Sequence, residues 1–171
     1  IFGKILYLSK KSLLNHDNEK VAYKIFSSGH RNPQGLIYSN KNIFSLEHGP
    51  QGGDELNKII EGKNYGWPIA SYGTKYNNAA SYASSHSELG YEEPMFVFIP
   101  AIAPTAINKC PKNLSNYYKN KNCLIALSLR AQSILIFLLN KDSTRVLNVE
   151  KIFIEKRLRH FGLDKNSNLY I

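Results

Sequence analysis

The sequence predicts an all-β fold, and three observations lead to this prediction. Of the 171 residues, 43% are apolar, which is enough to build a sizeable core. The apolar residues form short runs separated by turn-forming sequences, and no segment keeps a 3.6-residue period. The longest apolar run, Ile134–Leu139, has the length of a strand and is too short for a membrane-spanning helix.

Ten runs that alternate in polarity or are rich in β-branched and aromatic residues are predicted to be strands. In chain order they are Gly3–Ser9, Val21–Ser27, Gly35–Tyr38, Asn42–Leu46, Glu55–Ile60, Met95–Ile99, Cys123–Ser128, Ser133–Leu139, Val149–Ile154 and Asn168–Ile171. Polar turn sequences, such as residues 39–41 and 140–143, separate them. The polar stretch 72–94 is predicted to be a long connection, which in a compact domain is usually functional or flexible.

Two segments of the chain share one outline, which favours a repeated unit. Residues 35–45 and 161–171 each contain a Gly-Leu pair, a polar turn and then an apolar strand. Many short antiparallel strands are typical of a sandwich, a barrel or a propeller. A recurring hairpin is a mark of propeller blades, but the spacing by itself does not decide among these three folds.

The chain is basic, with 22 Lys and Arg residues against 13 Asp and Glu residues and a formal net charge of +9. Such a charge suits an anionic partner. However, the lysines are scattered, and the densest lysine cluster, within residues 109–121, has no accompanying nucleic-acid-binding motif. We therefore expect a solvated basic loop there and no nucleic-acid partner.

Two cysteines, Cys110 and Cys123, flank this basic loop. Because there is no CxxC motif and no His at ligand spacing, a zinc site is not predicted. In an exported protein the pair would form a disulfide, and in the cytosol it would remain two thiols. The sequence leaves both possibilities open.

The chain begins at Ile1, without an initiator Met, and ends in an apolar, strand-like run. Natural termini are usually polar and poorly ordered. We therefore expect residues 1–171 to be a single domain that forms an internal piece of a longer protein, truncated at both ends.

Polar and special-backbone residues are concentrated between positions 29 and 68. Arg31 and Asn32 precede a proline, so the backbone that carries them is expected to be extended. A guanidinium fork beside an amide suits a planar ligand that carries carboxylates and carbonyls. These two residues are therefore candidate ligand contacts.

A second motif, Glu47–Asn57, is suited to a hard cation. In the pair Gly49-Pro50, glycine permits close approach and proline lacks an N–H donor, so the backbone carbonyls are free to bind a metal. Asp54 and Glu55 add carboxylate oxygens. An oxygen-only ligand set favours calcium or magnesium over zinc.

Each residue of these motifs also has an ordinary structural interpretation. Asp54 can bond to a turn, Trp67 can belong to the core, and His30 or His48 can be a buried, hydrogen-bonded histidine. A third motif, Asn64–Pro68, follows the other two. The three motifs in this order are a more specific indication of function than any one of these residues is alone.

With these motifs, the sequence resembles the glucose/sorbosone dehydrogenase family of quinoprotein sugar dehydrogenases, and most of all its periplasmic aldose sugar dehydrogenase branch. The similarity continues more loosely through residues 98–105, 128–130 and 157–159. It implies a partial six-bladed β-propeller, with about three blades of antiparallel four-stranded sheets in this chain. It also implies pyrroloquinoline quinone (PQQ), calcium, an aldose substrate, an electron acceptor, no membrane span, and a periplasmic or secreted location.

The resemblance also implies a role for individual residues. PQQ would be bound by Arg31, Asn32, Arg130, Arg157 and Arg159. One calcium would be held by the carbonyls of Gly49 and Pro50, a second by Glu55 and the backbone of Tyr65, and Tyr76 would border the sugar pocket. A cofactor with three carboxylates needs converging arginines, and a propeller brings distant blade ends to one mouth.

The implied reaction is oxidation of the sugar at its anomeric carbon to the lactone, with hydride transfer to the quinone. In the family the base that takes the hydroxyl proton is a histidine upstream of the first motif. His16 lies in a predicted turn and does not match that site, so no catalytic base is assigned to this chain.

The sequence departs from the family pattern at several positions, and the departures at His160 and in the sugar pocket leave an alternative function open. Arg130 stands where the family usually has Lys, and His160 replaces the Asp that normally follows the Arg-x-Arg pair. Ile99 and Ala101 also differ from the sugar contacts of the glucose dehydrogenase branch. The alternative is a non-catalytic propeller of the same lineage that serves as a binding module.

Overall fold

The computed structural model describes residues 2–14, 21–119 and 122–171, and these form twelve strands and two short α-helices. The strands are β1 (Lys4–Tyr7), β2 (Lys24–Ser28), β3 (Pro33–Ser39), β4 (Asn42–Glu47), β5 (Asp54–Ile59), β6 (Phe96–Phe98), β7 (Pro104–Lys109), β8 (Cys123–Ser128), β9 (Ser133–Leu139), β10 (Val146–Phe153), β11 (Gly162–Leu163) and β12 (Leu169–Tyr170). The helices are α1 (Lys10–Leu14) and α2 (Lys112–Tyr117), and a 3-10 turn covers Ser87–Leu89.

The strands form two complete four-stranded sheets and two pairs. Both large sheets are antiparallel meanders, with strand orders β3-β4-β5-β6 and β10-β9-β8-β7. The pairs β1-β2 and β11-β12 are also antiparallel. Four-stranded meanders side by side are the blades of a propeller, so the predicted partial β-propeller is confirmed. The repeated outline noted in the sequence corresponds to the hairpins β3-β4 and β11-β12.

The two large sheets pack face to face through one apolar core. Phe44 and Leu46 from the first sheet meet Leu135 and Phe137 from the second, and all four side chains are almost fully buried. The edge strands β3 and β7 lie against each other, and a Cβ at Gly35 would come within 2.8 Å of the Ile107 side chain. Gly35 therefore permits the close approach that joins the two sheets.

The other face of the first sheet carries buried polar residues. Side chains alternate between the two faces of a strand, so Ser45 and Glu47 in β4 point away from the apolar core. Glu55 and Asn57 in β5 lie opposite them in register and are also buried. This face packs on the β1-β2 pair, and its buried polar groups require hydrogen-bond partners.

All ten predicted strands overlap observed strands, while β7 and β11 were not predicted. The connection at residues 72–94 contains turns, isolated bridges and the 3-10 turn. Strand β7 was missed because it begins with a proline and includes Asn108 and Lys109, a composition tolerated at a sheet edge. The two helices were missed because each is shorter than two turns and shows no periodicity. His16 and Lys121 lie outside the described residues.

The two cysteines form a disulfide. Cys110 follows β7, Cys123 begins β8, and their Cα atoms lie 5.4 Å apart at a sequence separation of 13. The disulfide closes the loop that contains α2, and it answers the question that the sequence left open. None of the helices in the described part of the chain is long and apolar enough to cross a membrane.

Candidate functional site

The candidate site lies where strand ends from both large sheets meet. β4 ends at Glu47 and β5 begins at Asp54, so residues 48–53 form a turn at this end of the first sheet. In the second sheet β7 begins at Pro104, and the His48 imidazole donates from Nε2 to the Pro104 carbonyl at 2.6 Å. The meander topology therefore brings the polar turn of one sheet against the start of the next.

Beneath this turn lies a buried polar network formed by Ser27, His30, Glu47, Glu55 and Asn57. The Glu47 carboxylate accepts hydrogen bonds from His30 Nδ1 at 3.0 Å, Asn57 Nδ2 at 2.8 Å and the Arg31 backbone N–H at 3.0 Å. The Ser27 hydroxyl pairs with His30 Nε2 at 2.8 Å. The network therefore fixes the backbone at residues 30–31 to the end of β4.

Glu55 completes the network and has a strongly perturbed pKa. It is paired with Glu47 across the sheet. Its carboxylate accepts a hydrogen bond from Asn57 Nδ2 at 3.2 Å, so this amide group donates to both glutamates. Burial, followed by the neighbouring charge of Glu47, raises the pKa of Glu55 to about 8. A cation near these two carboxyl groups would offset both effects, so the electrostatics suit a bound metal ion.

Residues predicted separately for cofactor binding and for metal binding share one small cavity. Its volume is about 10 Å³, roughly the space for one water molecule. Four predicted residues, Arg31, Gly49, Glu55 and Tyr65, line it. The remaining lining residues are Gly29, Glu47, His48, Trp67, Ala70 and Ser71.

The Arg31 guanidinium group is held on several sides. It donates to the His48 carbonyl at 3.2 Å and to the Tyr76 hydroxyl at 3.3 Å, and it lies over the Trp67 ring at 5.3 Å. Its Nε is buried and has no hydrogen-bond partner among the described residues. The side chain is therefore oriented by protein contacts while one buried donor remains available to a ligand.

The Gly49-Pro50 turn is compact and rich in backbone oxygens. The Tyr76 hydroxyl donates to the Pro50 carbonyl. A Cβ at Gly49 would lie 2.1 Å from the Gly52 carbonyl oxygen and 2.3 Å from that of Gly53, so only glycine fits. The Gly49 carbonyl accepts no hydrogen bond from the part of the chain that the structure describes.

The protein atoms that can act as metal ligands decide which metal fits. The described ranges contain no group of three or more His, Cys, Asp or Glu side chains placed to hold a metal. A cation would therefore depend on backbone carbonyls, on Glu55, and on oxygens from a cofactor or water. The carbonyl of Tyr65, like that of Gly49, accepts no hydrogen bond from the described residues. This all-oxygen set fits calcium or magnesium.

The other predicted cofactor contacts do not line this cavity, and Arg130 lines a separate pocket with residues 96–102. Asn32 follows Arg31, and its side-chain oxygen accepts a bond from Gln34 Nε2 at 2.9 Å. The three remaining arginines have exposed side chains and form no ion pair among the described residues: Arg130, Arg157 and Arg159. The Leu158 N–H donates to the Ser128 carbonyl at 3.4 Å, which places the Arg-x-Arg segment at the same end of the second sheet.

Glu47 and Asn57 are central to the site, yet neither was predicted from the sequence to be a site residue. The signal was present, because Ser45 and Glu47 occupy alternate positions of one predicted strand, as do Glu55 and Asn57 of the next. Polar residues repeated every second position beside apolar ones indicate a second buried face. Trp67, which stacks on Arg31, is half-exposed and contributes to the site more than to the core.

Comparisons with known proteins agree with this geometry. The sequence profile described as Glucose / Sorbosone dehydrogenase matches residues 1–171. The chain is 29% identical over 182 aligned positions to aldose sugar dehydrogenase YliI of Escherichia coli (strain K12), covering 99% of this chain and 47% of that protein. It is 40% identical over 87 residues to quinoprotein glucose dehydrogenase B of Acinetobacter calcoaceticus, covering 48% of this chain and 18% of that protein.

Solved structures show the same fold. A crystal structure of glucose dehydrogenase matches with a TM-score of 0.78 and 26% identity, covering 98% of this chain and 50% of that one. The PQQ-bound form of aldose sugar dehydrogenase from Streptomyces coelicolor matches with a TM-score of 0.64 and 25% identity, covering 93% of this chain and 42% of that one. The chain spans half or less of the length of these relatives. Because the family profile matches it from end to end, the chain belongs to the glucose/sorbosone dehydrogenase family.

Proposed function

We propose that this chain supplies the cofactor-binding end of a dehydrogenase that uses PQQ and calcium to oxidise an aldose sugar at the anomeric carbon to the lactone. The observation that carries the proposal is the shared cavity of Arg31, Gly49, Glu55 and Tyr65. The named activities of the relatives and the PQQ-bound neighbour support the choice of cofactor.

The arginines would bind the carboxylates of PQQ. Arg31 offers its unpartnered Nε, and Asn32 lies next to it in the same extended segment. The exposed guanidinium groups at this end, those of Arg130, Arg157 and Arg159, are free of carboxylate partners among the described residues. Guanidinium forks pair with carboxylates in a bidentate manner, which supports a polyanionic ligand.

Two calcium positions are proposed. The carbonyls of Gly49 and Pro50 would hold the calcium that contacts PQQ, and Glu55 with the Tyr65 carbonyl would hold the second. Replacement of the Glu55 proton by a cation explains why a carboxyl group is buried beside Glu47. When bound, PQQ supplies the electron-accepting carbonyl and calcium increases its electrophilicity.

The residues of this chain would orient the reactants, while the base that takes the anomeric proton is not assigned to any of them. Tyr76 is 69% exposed, and its hydroxyl is held between Arg31 and the Pro50 carbonyl. It would therefore form the border between the cofactor and the sugar. The electrons would then pass from the cofactor to a separate electron acceptor.

A periplasmic or secreted location is proposed as well. The disulfide between Cys110 and Cys123 supports it, because structural disulfides persist in oxidising compartments and are rare in the cytosol.

The test is reconstitution of the longest natural chain that contains these residues. Purified protein is treated with EDTA, supplied with calcium and PQQ, and offered a panel of aldoses with an artificial electron acceptor. We expect acceptor reduction that requires the sugar, PQQ and calcium together. Absence of PQQ binding would contradict the proposal. Binding without turnover of any aldose would favour the non-catalytic binding module, which His160, Ile99 and Ala101 motivate.

A further inference from the structure

We propose that Asp54 is a positioning residue that holds the Gly49-Pro50 turn of the first sheet in register with the segment of the second sheet that carries Arg130. The consequence for cofactor binding rests on the proposed function, whereas the structural role of Asp54 stands on its own contacts. Asp54 would not touch PQQ or calcium. It would set the spacing between the two halves of their site.

The carboxylate of Asp54 is 1% exposed and accepts three backbone hydrogen bonds. Its Oδ1 accepts from the Gly49 N–H at 2.9 Å. Its Oδ2 accepts from the N–H groups of Ile102 at 2.7 Å and Ala103 at 2.8 Å. Asp54 forms no ion pair among the described residues, so these three donors provide its local stabilisation.

The three donors belong to different parts of the site. Gly49 lies in the turn after β4, and residues 102–103 directly precede β7. The Ile102 carbonyl in turn accepts a hydrogen bond from the Arg130 backbone N–H at 2.9 Å. A short path of hydrogen bonds therefore runs from Gly49 through Asp54 and Ile102 to Arg130, across the junction of the two sheets.

The carboxylate adds something that the strand pairing does not. The backbone of Asp54 pairs with Phe98 in β6, and this holds β5 in its sheet whatever the side chain is. The His48 imidazole makes a second junction by donating to the Pro104 carbonyl. Loss of the Asp54 carboxylate is therefore expected to release the Gly49 turn without separating the sheets.

The substitution Asp54→Asn tests this role with almost no change in shape. An asparagine oriented to accept from Ile102 and Ala103 presents its N–H₂ group to Gly49, which loses its acceptor. We expect the Gly49 amide to exchange with solvent about tenfold faster in D54N, as measured by NMR. We also expect calcium-dependent PQQ affinity, measured by spectroscopic titration, to fall by about ten- to a hundredfold, the usual effect of losing an outer-shell partner.

The matched control is Asn140→Ala. Asn140 lies at the opposite end of the second sheet, where its Oδ1 accepts from the Thr144 and Arg145 N–H groups at 2.8 and 3.0 Å. N140A is expected to lower the melting temperature but to leave PQQ affinity within about twofold, so affinity separates positioning from general destabilisation.

Several outcomes would overturn the proposal. They are a Gly49 amide that already exchanges freely in the unmodified protein, unchanged exchange in D54N, or equal PQQ affinities of D54N and the unmodified protein. The first of these needs no variant, so it decides the matter even if D54N does not fold. If the unmodified protein binds no PQQ, the proposed function fails, and the exchange measurements still decide whether Asp54 holds the turn.

Discussion

Glu47 and Glu55 lie directly opposite each other across strands β4 and β5, and the amide group of Asn57 donates to both carboxyl groups, at 2.8 and 3.2 Å. Both glutamates are buried. Two carboxyl groups in this position cannot both ionise without a cost, unless a cation joins them. We therefore expect the stability of the first sheet to depend on whether a cation occupies the candidate metal site.

The first prediction concerns the stability of the metal-free protein. The pKa of Glu55 is raised from 4.5 to about 8, because it is buried and because Glu47 is close. The folded state therefore binds this proton more tightly than the unfolded chain. The contribution is fully present below the unfolded pKa and is lost as the pH rises towards the folded pKa, at up to about 1.4 kcal/mol per pH unit.

Urea unfolding in EDTA between about pH 5 and 8 measures this loss of stability. Glu55→Gln removes the titrating group and should flatten the profile over that range. The control Glu88→Gln changes an exposed glutamate of the 3-10 turn and should leave the slope in place. An E55Q profile as steep as that of the unmodified protein would contradict the prediction.

The second prediction concerns Arg31. Arg31→Lys keeps the positive charge but loses the fork that reaches His48 and Tyr76 together and stacks on Trp67. We expect PQQ to bind about tenfold more weakly, the equivalent of one charge-assisted hydrogen bond of about 1.5 kcal/mol. Spectroscopic titration with PQQ in the presence of calcium measures this.

The control for this change is Arg145→Lys. Arg145 precedes β10, at the end of the second sheet away from the site, and its side chain is exposed. The same chemical change there should leave PQQ affinity unaltered. Similar losses of PQQ affinity in both variants would mean that replacing any arginine by lysine weakens binding, whatever its position.

The third prediction concerns Gly49. Gly49→Ala places a methyl group 2.1 Å from the Gly52 carbonyl oxygen and 2.3 Å from that of Gly53, so the turn has to move. We expect a loss of about 2–3 kcal/mol in the free energy of unfolding, and loss of calcium-dependent PQQ binding. Gly162→Ala is the control, because a Cβ there meets nothing within 4 Å. A G49A protein as stable as G162A would show that the Gly49 turn can accommodate a methyl group, which would contradict the prediction.

The fourth prediction concerns the disulfide. Cys110 and Cys123 are separated by 13 residues, and closing a loop of this size removes about 3 kcal/mol of unfolded-state entropy in the chain-entropy model. The double variant C110A/C123A is expected to lose about that much stability in urea unfolding. Dithiothreitol should lower the stability of the unmodified protein to the same level and leave the double variant unchanged. An equal effect of the reductant on both proteins would argue against this disulfide.

The strands were predictable because they depend on local pattern. Period-two alternation, β-branched residues and polar turns identified every strand except β7 and β11. β7 mixes Pro104 with polar residues and is a strand only because β8 offers its backbone groups as partners. No local pattern contains that information.

The site was predictable only in part. Motif chemistry selected Arg31, Gly49 and Glu55, the family resemblance added Tyr65, and these four do line one cavity. It passed over Glu47 and Asn57, whose importance arises from their place opposite Glu55 on a buried face. For Asp54 it offered both a metal-binding oxygen and a hydrogen bond to a turn, and the structure shows the second, extended by a bond that joins the two sheets.

Local sequence was thus enough to establish the all-β class, the strand positions and the residue types suited to a planar anion and a hard cation. Only the folded chain decided which of these residues meet, because antiparallel meanders bring together strand ends that lie far apart in the sequence. Arg31 and Tyr76 are 45 positions apart and share a hydrogen bond, and Asp54 reaches Ile102 across 48 positions. Burial then gave these contacts their strength, since hydrogen bonds and charges act more strongly where water is excluded.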